Sequence, residues 1–150
     1  MNNSELHQKA SAFRGELDQY YDRNPGVNHS TNFMDPARGR FPLDHCKAAA
    51  IMFGEYLINH VGVDSDLVSY AWGERDNESH GWLIYDGWIV DLTADQFNDE
   101  KRSVIVAPAE DSEWHQSFGK PSVHPFGLRR GHDFVQVAAE IADRLKERAV

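Results

Sequence analysis

Three residues of this chain have the types and order that covalent chemistry needs: Cys46, His80 and Asp91. A thiolate is a strong nucleophile, an imidazole accepts and returns its proton, and a carboxylate behind the imidazole fixes the tautomer and supports the imidazolium. Cys46 lies two residues after Asp44, a candidate helix cap, in the first turn of an apolar segment. The exposed N–H groups and positive dipole end of such a helix favour a thiolate, provided the sulfur stays partly open to solvent. The same N–H groups can hold the oxyanion of an acyl intermediate. A second reading of Cys46 stays open: a small apolar residue at a helix start, buried and inert.

Whether His80 and Asp91 meet depends on one turn. Asp86-Gly87 is a strong two-residue hairpin signal between the strand candidates His80–Tyr85 and Trp88–Leu92. With those two residues as the loop, Tyr85 pairs with Trp88, Ile84 with Ile89, Trp82 with Asp91 and His80 with Thr93. Side chains alternate faces along each strand, so His80, Trp82, Asp91 and Thr93 share one face. His80 and Asp91 are then diagonal neighbours, about 7–8 Å apart between Cα atoms, a gap that imidazole and carboxylate can close. Trp82 could shield the pair from water. A three-residue loop with a bulge at Gly87 would shift the register by one and put the two on opposite faces; Asp95 is the fallback carboxylate.

The elements that must position these residues are legible to differing degrees. Residues 4–21 read as an amphipathic helix, with Leu6, Ala10, Phe13, Leu17 and Tyr20 at helical spacing and Ser4 as cap. Residues 22–43 are punctuated by Pro, Gly and Asn and read as loop. Residues 44–60 form a helix that is apolar nearly all round, which belongs in the middle of a domain, and Gly62 ends it. Residues 67–72 and 103–107 add strands, residues 108–130 read as irregular with Trp114, Phe118 and Phe126 as anchors, and residues 132–148 as a closing helix with Phe134, Ala138, Ile141 and Leu145 inward. This order argues a single α+β domain over residues 1–150, with helices around a mostly antiparallel sheet.

Composition excludes several classes. The net charge of −9 disfavours nucleic-acid binding. A hydrophobic fraction of 41% supports a core without staples. One cysteine leaves no internal disulfide and no multi-cysteine zinc site. The start lacks the basic and apolar regions of a signal peptide, and no apolar run would cross a bilayer. These features predict a cytoplasmic protein with a free thiol and no membrane partner. There is no phosphate-binding glycine motif, and neither a cofactor nor a metal is expected. His115, His124 and His132 have no metal-ligand spacing and read as surface histidines, as does His45.

The segment 44–97 resembles the transglutaminase-like branch of the papain-type cysteine enzymes. The matching pieces are Cys46 heading an apolar helix, His80-Gly81-Trp82 opening a strand, and Val90-Asp91-Leu92-Thr93 in the next strand. It also looks like small bacterial proteins that end this block in a string like Thr93-Ala94-Asp95-Gln96-Phe97. The resemblance covers about a third of the chain. It implies a papain/transglutaminase-like fold, a Cys46–His80–Asp91 triad, and acyl chemistry on amides of a peptide, protein or small-molecule substrate: cleavage, deamidation or transfer to an amine. Asp44-His45 departs from the aromatic or glycine residues common before the cysteine. Asn32, Gln96 and Trp82 are further candidates at the site. Asn32 and Gln96 could donate to an oxyanion or bind substrate, although turn polarity or helix capping would also explain them. A chain that keeps this fold and only binds, as an immunity, adaptor or effector protein, is the alternative.

Overall fold

The computed structural model describes residues 1–29, 41–128 and 131–148. Its elements are α1 (Asn3–Arg23), α2 (Cys46–Tyr56), β1 (Val68–Arg75), β2 (Glu78–Tyr85), β3 (Trp88–Asp91), β4 (Ile105–Pro108), α3 (Glu113–Gln116), β5 (Ser122–Pro125) and α4 (His132–Arg148). The five strands form one sheet in the order β4-β3-β2-β1-β5, and every neighbouring pair is antiparallel. The class is α+β, as the order of elements predicts. Among the described residues, no helix is long and apolar enough to cross a membrane.

The helix α2 is central for the reason visible in its sequence. Every residue from Cys46 to Tyr56 except Lys47 is buried. It continues as a single π-helical turn, Leu57–Val61, and stops at Gly62, whose φ of 93° a side chain would resist. The absence of a side chain at Gly54 lets the Phe126 ring lie directly on the helix, where any Cβ would collide with it. Phe13 of α1 packs edge-on against Phe53, ring centroids 5.2 Å apart. With Val68, Tyr70, Leu83, Val90 and residues of α4, these side chains build the larger core on one face of the sheet. Leu57 is wholly enclosed there. Leu57→Ala is therefore expected to cost about 2–5 kcal/mol in a urea melt; a loss below about 0.5 kcal/mol, the size seen at exposed sites, would remove the helix from the centre of the fold.

The opposite face carries a second, smaller core of Ala71, Trp82, Ile89 and Phe118, with Ile84, Phe97 and Trp114 against it. This face holds His80 and Asp91 by strand alternation, so the sheet is covered on both sides.

Several local expectations are corrected. Asn2, not Ser4, caps α1, its side chain accepting from the Glu5 N–H at 2.8 Å. Asp44 does not cap α2: its φ is 57°, outside helical space, and α2 begins at Cys46 itself after His45, with no side-chain cap. The segment 108–130 is not merely irregular, since it contains α3 and the edge strand β5. Its short elements escape periodicity because each has only four residues. In α4, Val137, Ala138, Ile141 and Ala142 are buried, whereas Phe134 and Leu145 are half-buried at the margin of the core.

Candidate active site

The hairpin forms as the two-residue turn requires. Asp86 and Gly87 both take positive φ, 49° and 80°, the pair of conformations that lets a tight turn follow the twist of its strands. Tyr85 pairs with Trp88, Ile84 with Ile89 and Leu83 with Val90, so the bulged register does not occur. His80 and Asp91 meet on one face. The His80 Nε2–H donates to Asp91 Oδ2 at 2.6 Å, and the Thr93 N–H donates to Asp91 Oδ1 at 3.0 Å. Neither side chain is more than 1% exposed.

Nε2 is committed to Asp91, which leaves Nδ1 for the thiol. Among the described residues, Nδ1 has no hydrogen bond of ordinary length. Cys46 is nevertheless close enough to act on the ring through both hydrogen bonding and charge. Contacts between nucleophile and base are commonly loose before substrate binds. Burial pushes the imidazole toward its neutral form, but the charge and hydrogen bond of Asp91, and then Cys46, outweigh it and raise the His80 pKa to about 9. Burial likewise opposes the Asp91 anion, yet the charge of His80 and the hydrogen bonds from both histidines hold the carboxyl well below its usual range.

The signs give a stability profile. His80 is raised, so its contribution is complete below about pH 6.5 and is lost as pH rises through about 9. Asp91 is depressed, so its contribution is present above the ordinary carboxylate range and is lost as pH falls. The urea midpoint should therefore drop between pH 6.5 and 9.5 in the parent protein, with His80→Gln lacking this part of the drop. Parallel profiles for the two proteins would mean that His80 is not cationic in the fold.

His115 is the residue sequence reasoning misplaced. It is buried, not on the surface. Its Nε2–H donates to the same Asp91 oxygen at 2.7 Å, and its Nδ1 lies 2.6 Å from Ser112 Oγ. The spacing Ser112-x-x-His115 is too common to have marked the pair. His124 is half-buried on β5, whereas His132 is exposed. His45 is also buried rather than superficial: Nδ1–H donates to the Leu43 carbonyl at 2.7 Å, Nε2 accepts from the His29 N–H at 3.2 Å, and burial lowers its pKa.

The remaining candidates separate. Gln96 braces the site, its Oε1 accepting from the Asp44 N–H at 3.0 Å and its Nε2 donating to the Thr93 carbonyl at 3.1 Å. It thereby ties the turn before Cys46 to the turn after Asp91. Trp82 is buried 5.7 Å from the His80 ring, where it excludes water. Asp95 forms a two-pronged ion pair with Arg14 (2.9 and 3.0 Å) and takes no part in the triad. Asn32 lies outside the described residues.

Aromatic side chains close the far side of His80: Phe97, Trp114 and Phe118 have ring centroids 4.9, 5.6 and 5.6 Å away. The Arg75 guanidinium caps this layer 4.3 Å from the Phe118 ring centroid and is held by both Asp99 oxygens. At the start of α2 the first helical bond runs from the Ala49 N–H to the His45 carbonyl at 2.9 Å. The N–H groups of Cys46, Lys47 and Ala48 thus precede the first helical bond and have no partner within the helix. Cys46 is 4% exposed, so the partly open sulfur expected from the sequence is not found.

His80, Asp91 and His115 together present three metal-binding side chains within 4.8 Å. The short contacts of both histidines with one carboxylate oxygen are those of hydrogen bonds, which account for the cluster without an ion. Comparison with family models, with curated proteins and with solved structures finds no match.

Proposed function

We propose that the chain is a cysteine hydrolase or acyltransferase acting on amide bonds, by peptidase, deamidase or transglutaminase-type chemistry, on a papain/transglutaminase-like framework. The observation that carries this reading is the His80 ring, fixed by Asp91 at 2.6 Å and acted on by the thiol of Cys46 at the uncapped start of a buried helix.

A cationic His80 refines the order of events expected from the residues alone. In this reading His80 acts first as acid rather than base. The thiolate adds to the amide carbon and the carbonyl electrons move to oxygen, which the first-turn N–H groups of α2 stabilise. The intermediate collapses, the C–N bond breaks, and the amine leaves with the proton of His80. Neutral His80 then deprotonates water or an acceptor amine, which attacks the thioester. The C–S bond breaks, restoring thiolate and imidazolium. The substrate is a peptide, protein or small amide, and the net charge of −9 disfavours nucleic acid. A reducing cytoplasm suits the free thiol.

The burial of Cys46 favours one other reading: a protein that keeps the triad as a structural element and only binds. Alkylation separates the two. Iodoacetamide at pH about 6 should modify Cys46 in the native protein, followed by intact mass, because a paired thiolate reacts where an ordinary thiol is almost wholly protonated. Modification that waits for denaturant would establish the binding reading.

A further inference from the structure

We propose that His115 is a positioning residue of the triad: a second imidazole donor that, seated by Ser112, holds the Asp91 carboxylate ionised and aimed during the part of the cycle in which His80 is neutral. The proposal deepens the catalytic reading and rests on it for its role in turnover, but not for its structural test.

The geometry leaves little choice of roles. Asp91 Oδ2 receives two N–H donors, His80 Nε2 at 2.6 Å and His115 Nε2 at 2.7 Å, while Oδ1 receives the Thr93 N–H at 3.0 Å. His80, which also faces the thiol, is the ring raised toward its cation. His115 carries a proton on the Nε2 that meets the same carboxylate oxygen, and its Nδ1 lies 2.6 Å from the Ser112 hydroxyl. Ser112 precedes α3, yet its side chain does not cap that helix and is spent on the ring instead. Trp82 packs against His115 at 4.7 Å and Trp114 at 4.9 Å, so its orientation is fixed. Chemistry needs this donor at one moment. When His80 gives its proton to the leaving amine, Asp91 loses its countercharge in a dry site. The N–H donors of His115 and Thr93 must then stabilise the anion. The titratable groups that face His80 from the packed elements are Cys46 of α2, Asp91 of β3 and His115 of α3. Arg102, from the segment between β3 and β4, contributes a more distant charge to Asp91.

The direction of the effect follows. Removing the His115 donor destabilises the lone Asp91 anion more than the Asp91–His80 ion pair, so it makes His80 harder to deprotonate. The experiment is an NMR titration of the His80 ring nitrogens in the full-length protein, in His115→Phe, His115→Gln and Ser112→Ala. His115→Phe should move the His80 titration to higher pH by about one unit, the size of one charge-assisted hydrogen bond. His115→Gln, whose amide can donate from nearly the same place, should restore it, and Ser112→Ala should fall between. The alkaline onset of any amide turnover should shift with it. An unmoved His80 titration in His115→Phe, or one that His115→Gln and Ser112→Ala fail to grade, overturns the proposal. If His115→Phe does not fold, a His115→Gln titration displaced from the parent's decides against it, and one that coincides, with Ser112→Ala displaced upward, decides for it. A shift of the expected sign in a protein whose Cys46 is inert would leave the proton array standing while removing the enzyme reading, so the two failures are distinguishable.

Discussion

Asp91→Ala should lower the unfolding free energy by about 3–5 kcal/mol, the cost of removing one partner from a buried charge pair. The substitution leaves three donors without their acceptor: His80 Nε2–H, His115 Nε2–H and the Thr93 N–H. His80 and His115 are fully or almost fully enclosed, so water cannot replace the carboxylate without opening the second core. Asp91→Asn keeps the shape and should lose less, because its carbonyl oxygen can still accept from both histidines while its amide confronts the Thr93 N–H. Urea melts at pH 7, where Asp91 is ionised, measure all three proteins. An alanine variant within about 0.5 kcal/mol of the parent would show that the shared carboxylate does not organise this face of the sheet.

The second large effect concerns His80→Ala, which should reduce the proposed amide turnover by roughly 10²–10⁴-fold, the range contributed by a positioned acid–base group. Two losses combine. The leaving amine no longer finds a proton, and Cys46 loses the cation beside its sulfur. Alkylation at pH 6 should slow accordingly and recover at alkaline pH, where thiolate forms without help. Asp91→Asn should impair turnover while slowing alkylation less, since Asp91 touches the imidazole and not the sulfur. Rates of alkylation against pH for the parent and both variants test this. An alkylation profile identical in parent and His80→Ala would dissolve the Cys46–His80 pair.

These expectations rest on parts of the molecule that were legible in different degrees from the residues alone. The Asp86-Gly87 turn was legible because positive φ at two successive positions demands those residue types, and the turn in turn fixed the face shared by His80 and Asp91. The burial of α2 was legible because its apolar residues leave no solvent side. The β1–β2 hairpin was not: the strand candidates stop at Trp72 and resume at His80, because Glu74, Arg75 and Glu78 carry no apolar alternation although they pair across the strands. His115 and Arg14 were missed for a shared reason. Each is a polar residue buried by partners distant in sequence, and neither hydrophobic period nor local spacing carries that information. For Gln96 both an oxyanion role and turn polarity were open, and its partners, the Asp44 N–H and the Thr93 carbonyl, are the backbone groups of two turns.

Arg14 alters how the first helix should be regarded. From α1 it reaches the Leu92 carbonyl at 2.7 Å, the Ser103 carbonyl at 3.2 Å and both oxygens of Asp95, all in the stretch that leaves Asp91 and returns as β4. A guanidinium gathering two carbonyls and a carboxylate is what a docked ligand does in a receptor, with the difference that this ligand is covalently part of the chain. The helix is thus a tethered peptide ligand of the Asp91 segment, and its effective concentration is set by the chain that joins it. A sequence change in α1 that never approaches the sulfur can in this way slacken the anchor of the residue that aims the histidine.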